Sequence, residues 1–167
     1  RTPIALVEVQ GYVYAAYRAR AALARRAGDA DRADACDRRA ADLRERFDRD
    51  FWLPDRGYYA FALAGDKRRV DALASNIGHT LWAGIALPER AAEVARRLYS
   101  PELFTGWGVR TLATSNPAYN PMSYQRGSVW PHDTAIAVAG LARYGHVDAA
   151  RRIGLGLLDA AQHFGGR

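Results

Sequence analysis

Tyr119-Asn120-Pro121-Met122-Ser123-Tyr124-Gln125-Arg126-Gly127-Ser128-Val129-Trp130-Pro131-His132-Asp133 runs directly into a nearly continuous apolar segment, Thr134 to Tyr144. Pro131 suits the first turn of a helix, because the N–H it lacks is one that a helix start leaves unpaired anyway. The apolar segment predicts that helix, and the quoted stretch predicts a polar, aromatic loop at its N-terminus. Such a loop offers ring faces for C–H surfaces. It also offers amide, guanidinium, imidazole and carboxylate groups for hydroxyls, a combination that holds a sugar. An ordinary helix-capping loop has an equal claim on the same residues, so both readings stay open at this point.

The flanking sequence reads as helical hairpins. Leu6, Val9, Val13 and Ala16 recur at helical spacing from Ile4 to Ala27, with Pro3 at the start and Gly28 at the end. Asp29 or Asp31 can cap a second helix, running to about Phe47, whose apolar side is Ala33, Ala40, Leu43 and Phe47. Tyr58 to Leu63, a turn at Gly65-Asp66 and a return over Lys67 to Val70 predict a small β-hairpin. Further helices are expected at Asn76 to Gly84 and, opened by Pro88, at Glu89 to Tyr99. Thr105 to Ser115 has room for a short extended piece. After the quoted loop come Trp130 to Tyr144 and Val147 to His163, joined at Gly145-His146.

Helix, short loop, helix, longer loop thus repeats about three times, and short turns make antiparallel neighbours. The longer loops collect at one end. No fixed-period repeat is visible, which disfavours a regular solenoid. The expected fold class is all-α, with helical hairpins side by side as part of a ring, about half of one, and a small β-hairpin insertion.

With 167 residues and 49% hydrophobic content, the chain has enough apolar surface for a core. Arg1 is not a Met and the sequence stops at Gln162-His163-Phe164-Gly165-Gly166-Arg167, so both ends are expected to be cuts in a longer protein. The net charge is +6 and Lys67 is the only lysine. The arginines alternate with acids, as from Asp29 to Asp50, which predicts a solvated helix face and no nucleic-acid partner. Cys36 is single, so no internal disulfide is expected. The longest apolar run, Ala135 to Ala142, is too short to cross a bilayer, and a cytoplasmic setting without a membrane partner is the expectation. His79, His146 and His163 lack metal-ligand spacing, no Gly-rich phosphate loop is present, and Ser128 lacks a nucleophile elbow. No metal or other cofactor is expected.

Three clusters carry candidate chemistry. Glu8 and Gln10 interrupt an apolar helix beside Tyr12 and Tyr14, and a carboxylate there needs partners or a cavity. The alternative places Glu8 in solvent near the helix start, where the dipole favours an acid. Trp107 lies between two glycines, and Arg110 offers a rigid donor fork. Alternatively Trp107 is core, and Arg110 pairs with Asp133 or Glu102. In the opening stretch, Tyr124 and Trp130 are candidate ring walls and Gly127 allows close approach of a ligand. His132 and Asp133 are candidate polar contacts, with structural hydrogen bonding and helix capping as their competing roles.

Taken together, Pro3 through Ala16, Glu102 through Leu112, and Tyr119 through Asp133 resemble the amylo-α-1,6-glucosidase (glycogen debranching enzyme-like) group of six-hairpin glycosidases. Tyr124-Gln125-Arg126-Gly127-Ser128-Val129-Trp130 is also similar to a loop of mannosylglycerate hydrolase-like enzymes in which the aromatics line the sugar subsite. The resemblance implies an (α/α)6 toroid with its active site in the funnel at one end. It implies inverting hydrolysis of glucosidic bonds in an oligosaccharide or glycoconjugate, with the chain as a partial catalytic domain over residues 1–167 whose partners are that substrate and the remainder of its own toroid. Inversion needs an acid and a base roughly 6.5–9.5 Å apart. In the group these are an Asp in a Trp-Lys-Asp-Ser segment, which would precede Arg1, and a Glu after a Phe-x-Gly-Arg ending, which would follow Arg167. The resemblance therefore leaves this chain mainly the sugar-binding wall. Glu8 and Asp133, the best carboxylates within it, become binding or orienting groups beside Gln10, Tyr12, Trp107, Arg110, Tyr124, Gly127, Trp130 and His132. The rival expectations are a sugar epimerase on the same toroid with His132 and another His as proton shuttles, a non-catalytic carbohydrate-binding module, and a basic nucleic-acid-binding module.

Overall fold

The computed structural model describes residues 4–165; the expected role of Pro3 at a helix start lies outside them. Among the described residues six helices carry the fold: α1 Val7–Arg26, α2 Ala30–Phe51, α3 Asn76–Ala83, α4 Pro88–Leu98, α5 Pro131–Arg143 and α6 Val147–His163. Short strands accompany them: β1 Ala5–Leu6, β2 Trp52–Leu53, β3 Tyr58–Tyr59, β4 Ala62–Leu63 and β5 Arg69–Val70. Short connections fold the helices into the hairpins α1/α2, α3/α4 and α5/α6, and α3 also packs on both α1 and α5. The odd-numbered helices thus form one inner row, backed by their even-numbered partners. Among the described residues no helix is long and apolar enough to cross a membrane.

Three stretches differ from the sequence expectation. The first helix begins at Val7 rather than Ile4, because Ala5–Leu6 is a strand paired antiparallel with Ala62–Leu63. Leu6 has an extended backbone (φ −73°, ψ 144°), and the amide of Val7 donates to the Phe61 carbonyl at 3.0 Å. A two-residue strand leaves no period of its own in the sequence, so the helical spacing absorbed it. The second change concerns Tyr58 to Leu63, which is split between two sheets. Tyr58–Tyr59 pairs with Trp52–Leu53, while Ala62–Leu63 lies between β1 and β5. The return at Arg69–Val70 matches the expected hairpin, with Lys67 in the left-handed region (φ 67°) at its turn. Helix α2 continues past Phe47 to Phe51 because both rings, one turn apart, stack together at 5.0 Å and Phe47 packs on Tyr59 at 4.5 Å.

Tyr59, Phe47, Ile77, Leu81, Ile85, Leu98, Leu141 and Ile153 are fully buried and join the hairpins into one core. Each contributes about 1.5–3 kcal/mol by leaving water. The chain reverses after α3 at Gly84, a left-handed C-cap (φ 79°). Its carbonyls, which have no helical partner, are taken up from outside. Arg44 of α2 donates to the oxygens of Gly84, Ile85 and Ala86, and the Tyr144 hydroxyl donates to Ala86 at 2.6 Å. Arg44 therefore ties two hairpins together. The Arg–Asp pairs that α2 makes, such as Asp37 with Arg25 of α1 and Arg49 with Asp50, are open to solvent and add little.

Candidate functional site

The first turns of α1, α3 and α5 converge on a cleft of about 610 Å³. Glu8 enters it from α1, Ser75 and Asn76 from the start of α3, and Trp130 and Asp133 from the start of α5. The long loop between α4 and α5 closes the side with Thr111, Asn116, Gln125 and Arg126, and Leu6, Phe61 and Leu112 supply apolar wall. Helix N-termini carry unpaired N–H groups and a partial positive charge. This end of the fold consequently favours carboxylates and other anions.

Asp133 is buried, and so is its partner His79, whose Nε2 lies 2.5 Å from Asp133 Oδ1. On the other side of the ring, His79 Nδ1 lies 2.6 Å from the Tyr12 hydroxyl. Burial pushes the Asp133 carboxyl up, but the His79 and Ser75 side chains beside it outweigh burial and hold the carboxyl below its usual value. Tyr12 is pushed up, first by burial and then by the nearby charges of Glu8 and Asp133. It therefore keeps its phenolic proton at neutral pH. Glu8 differs from Asp133: its Oε2 is shielded from solvent with no hydrogen-bond donor among the described residues. A buried acceptor left in that state costs about 1–3 kcal/mol.

The loop residues before α5 support one another. Trp130 Nε1 donates to the Tyr124 carbonyl at 2.9 Å and to Ser128 Oγ at 3.1 Å, and Ser128 Oγ donates to the same carbonyl at 2.6 Å. The Tyr124 ring lies on Trp130 at 4.3 Å, and the exposed His132 ring lies 5.3 Å from the same indole. This fixes the half-buried indole as a wall of the cleft. Gly127 permits the turn that makes this possible. Its φ is 150°, and a β-carbon there would stand 2.5 Å from the Tyr119 ring.

Of the sequence candidates, Glu8, Trp130 and Asp133 line the cleft together. Tyr12 joins them through His79, and Tyr124, Gly127 and His132 frame Trp130. The other candidates sit elsewhere. Gln10 donates to the Leu6 carbonyl at 3.2 Å, on a side of α1 that Glu8 and Tyr12 do not share. Arg110 donates to the carbonyls of Pro101 and Leu103 and is ion-paired with neither Asp133 nor Glu102. Trp107 is neither core nor cleft wall. It is 41% exposed and packs on His163 and Phe164 at the end of α6. Sequence reasoning weighed His79 only as a metal ligand and did not single out Ser75, Asn76, Thr111 or Asn116. A signal existed for two of these: Ser75 and His79 are polar residues four apart, and so share one helix face.

A model of the mannosylglycerate hydrolase MGH1-like glycoside hydrolase domain matches residues 3–165. The mannosylglycerate hydrolase MGH1 of Selaginella moellendorffii is 33% identical over 73 residues, which are 44% of this chain and 15% of that protein. The mannosylglycerate hydrolase MGH2 of the same organism matches to the same extent. The chain thus spans a small part of the curated relatives it matches. Among solved structures, the GH63 mannosylglycerate hydrolase of Thermus thermophilus in complex with glucose superposes with a TM-score of 0.83 at 18% identity, over 97% of this chain and 38% of that one. The neutral trehalase of Saccharomyces cerevisiae gives 0.82 at 18% identity, over 98% and 33%. A sialidase gives 0.84 at 13% identity, over 95% and 16%. The helical hairpins are therefore part of an α/α toroid with small β-hairpins, as the sequence led us to expect. Of the two groups that its motifs resemble, the second is the one matched along the chain, and the protein belongs to the mannosylglycerate hydrolase MGH1-like glycoside hydrolase domain family.

Proposed function

We propose that this chain is the sugar-binding wall of an inverting glycoside hydrolase, acting on a small glycoside whose aglycone carries a carboxylate. The observation that carries the reading is the meeting of Glu8, Asp133 and Trp130 in one cleft at the N-termini of α1 and α5. Trp130 offers an indole face to the C–H surface of a sugar ring. The orphan Oε2 of Glu8 and the ionised Asp133 accept hydrogen bonds from its hydroxyls, which are stronger for having a charged acceptor. Arg126 is the one cationic side chain lining the cleft among the described residues. Its guanidinium suits a carboxylate, in keeping with relatives named as mannosylglycerate hydrolases.

In this reading the catalytic acid and base come from other segments of the whole protein. The acid protonates the leaving oxygen, and the base activates a water on the opposite face of the sugar. Glu8 and Asp133 hold the sugar so that both can reach it, and the remainder of the toroid closes the funnel. The test uses the full-length protein with mannosylglycerate, glucosylglycerate and neutral disaccharides as substrates. NMR of the fresh product reads the anomeric configuration, and inversion is expected. Trp130→Ala is expected to lower kcat/KM well beyond threefold; a change within about threefold, below roughly 1 kcal/mol, would remove Trp130 from the sugar subsite.

A further inference from the structure

Tyr12, His79 and Asp133 come from α1, α3 and α5, and their polar ends form one continuous line across the inner row of helices. His79 is 6% exposed and Asp133 7%. Burying polar groups at a helix junction is costly unless each is satisfied, and here every contact in the line is within hydrogen-bond distance. The partners assign the proton positions. An ionised carboxylate only accepts, so His79 Nε2 carries the hydrogen that goes to Asp133. The Nδ1 lone pair then accepts from the Tyr12 hydroxyl. Ser75, also buried, stands beside Asp133 on the cleft wall. Asp133 is thereby gripped from behind while the residue itself lines the cleft.

We propose that His79, held in its Nε2–H tautomer by Tyr12, is a positioning residue that fixes Asp133 in one orientation as a preformed acceptor for a sugar hydroxyl. The proposal rests on the reading that the cleft binds sugar. It adds residues that do not touch the substrate: His79 acts only through Asp133, and Tyr12 only through His79. Fixing an acceptor by a locked supporting shell lowers the ordering cost of binding.

The test uses the full-length enzyme and its best glycoside substrate. His79→Gln retains an N–H donor toward Asp133, whereas His79→Leu retains none. His79→Leu is expected to raise KM by about 10-fold or more, the loss of one hydrogen bond to a charged group. His79→Gln should recover most of that loss, and Tyr12→Phe should cost about threefold with little change in Tm. In protein labelled with nitrogen-15 at histidine, the His79 ring should show a protonated Nε2 and an unprotonated, hydrogen-bonded Nδ1. A proton on Nδ1, or a His79→Gln enzyme no better than His79→Leu, would overturn the proposal. Should His79→Leu fail to fold, the Gln and Phe variants and the ring spectrum still decide it. A wild-type protein that hydrolyses no glycoside overturns the functional reading itself, and the proposal with it. An active wild type with unaffected variants overturns the proposal alone.

Discussion

A β-carbon on Gly140 would stand 2.8 Å from the carbonyl oxygen of Gly78 and 2.7 Å from the amide nitrogen of Trp82. Helix α5 therefore lies on α3 at a distance that only a glycine allows, and this contact sets Asp133 beside His79. Gly140→Ala would gain about 1 kcal/mol of helix propensity. It would also push against backbone on the facing helix, and overpacking of that kind costs about 1–3 kcal/mol. We expect net destabilisation, together with weaker substrate binding. Gly154→Ala is the control: its β-carbon would meet only Val138 Cγ1, at 3.8 Å, so propensity decides and the variant should gain up to about 1 kcal/mol. Chemical denaturation of both variants checks the pair. A neutral Gly140→Ala would mean that α5 can move on α3 and that the contact does not set the site.

Glu8 Oε2 is buried without a donor among the described residues, and in the proposed reading a sugar hydroxyl supplies one. Glu8→Gln should therefore leave unfolding free energy within about 1 kcal/mol of wild type, because no charged partner is lost. The same change should raise KM by about 10-fold or more, the worth of a hydrogen bond to a charged acceptor. Paired denaturation and kinetic measurements separate the two effects. A large loss of stability with unchanged KM would make Glu8 structural.

The division between what could be read from the chain and what could not follows from the range of the interactions. Trp130, Asp133 and the helix whose start they mark were legible because a Pro at the first helical turn and an apolar run are local signals. Glu8 was legible as a carboxylate in an apolar stretch. Gln10 and Trp107 carried the same kind of local signal, yet stand away from the cleft, because composition does not say which face of a helix or loop a side chain takes. The His79–Asp133 contact joins residues 54 apart and depends on the fit of Gly140 against α3, which no local pattern displays. Likewise the pairing of Ala5–Leu6 with Ala62–Leu63 is invisible until the intervening hairpin α1/α2 has folded back.

Asp133 gives a stability signature in acid. Its carboxyl sits below the usual value of 3.8 in the folded protein, because His79 and Ser75 outweigh its burial. A group with a depressed folded-state pKa stabilises the fold above its unfolded pKa, and that contribution is lost as pH falls through the folded value. The difference in unfolding free energy between wild type and Asp133→Asn should therefore be constant above about pH 5 and shrink progressively below about pH 4. Guanidinium titrations of both proteins across that range measure it. A difference that instead grew as the pH fell would mean that Asp133 is held protonated in the native state, and would contradict the hydrogen-bond directions assigned here.

Arg126 separates the substrate class from the sugar site. Its guanidinium lines the cleft and, among the described residues, donates only a 3.3 Å bond to Ser123 Oγ. It is exposed, so its replacement should hardly affect stability, and Arg126→Gln keeps a polar side chain of comparable reach. If the aglycone carries a carboxylate, the lost charged contact should raise KM for that substrate by about 10-fold. Neutral glycosides sharing the same sugar should be hydrolysed as before, because in the proposed reading Glu8, Trp130 and Asp133 still hold the ring. The effect on the anionic substrate should also weaken with added salt, since an exposed charge pair is screened within a Debye length of about 8–10 Å. Equal losses on anionic and neutral glycosides would place Arg126 against the sugar itself and transfer the choice of aglycone to another part of the toroid.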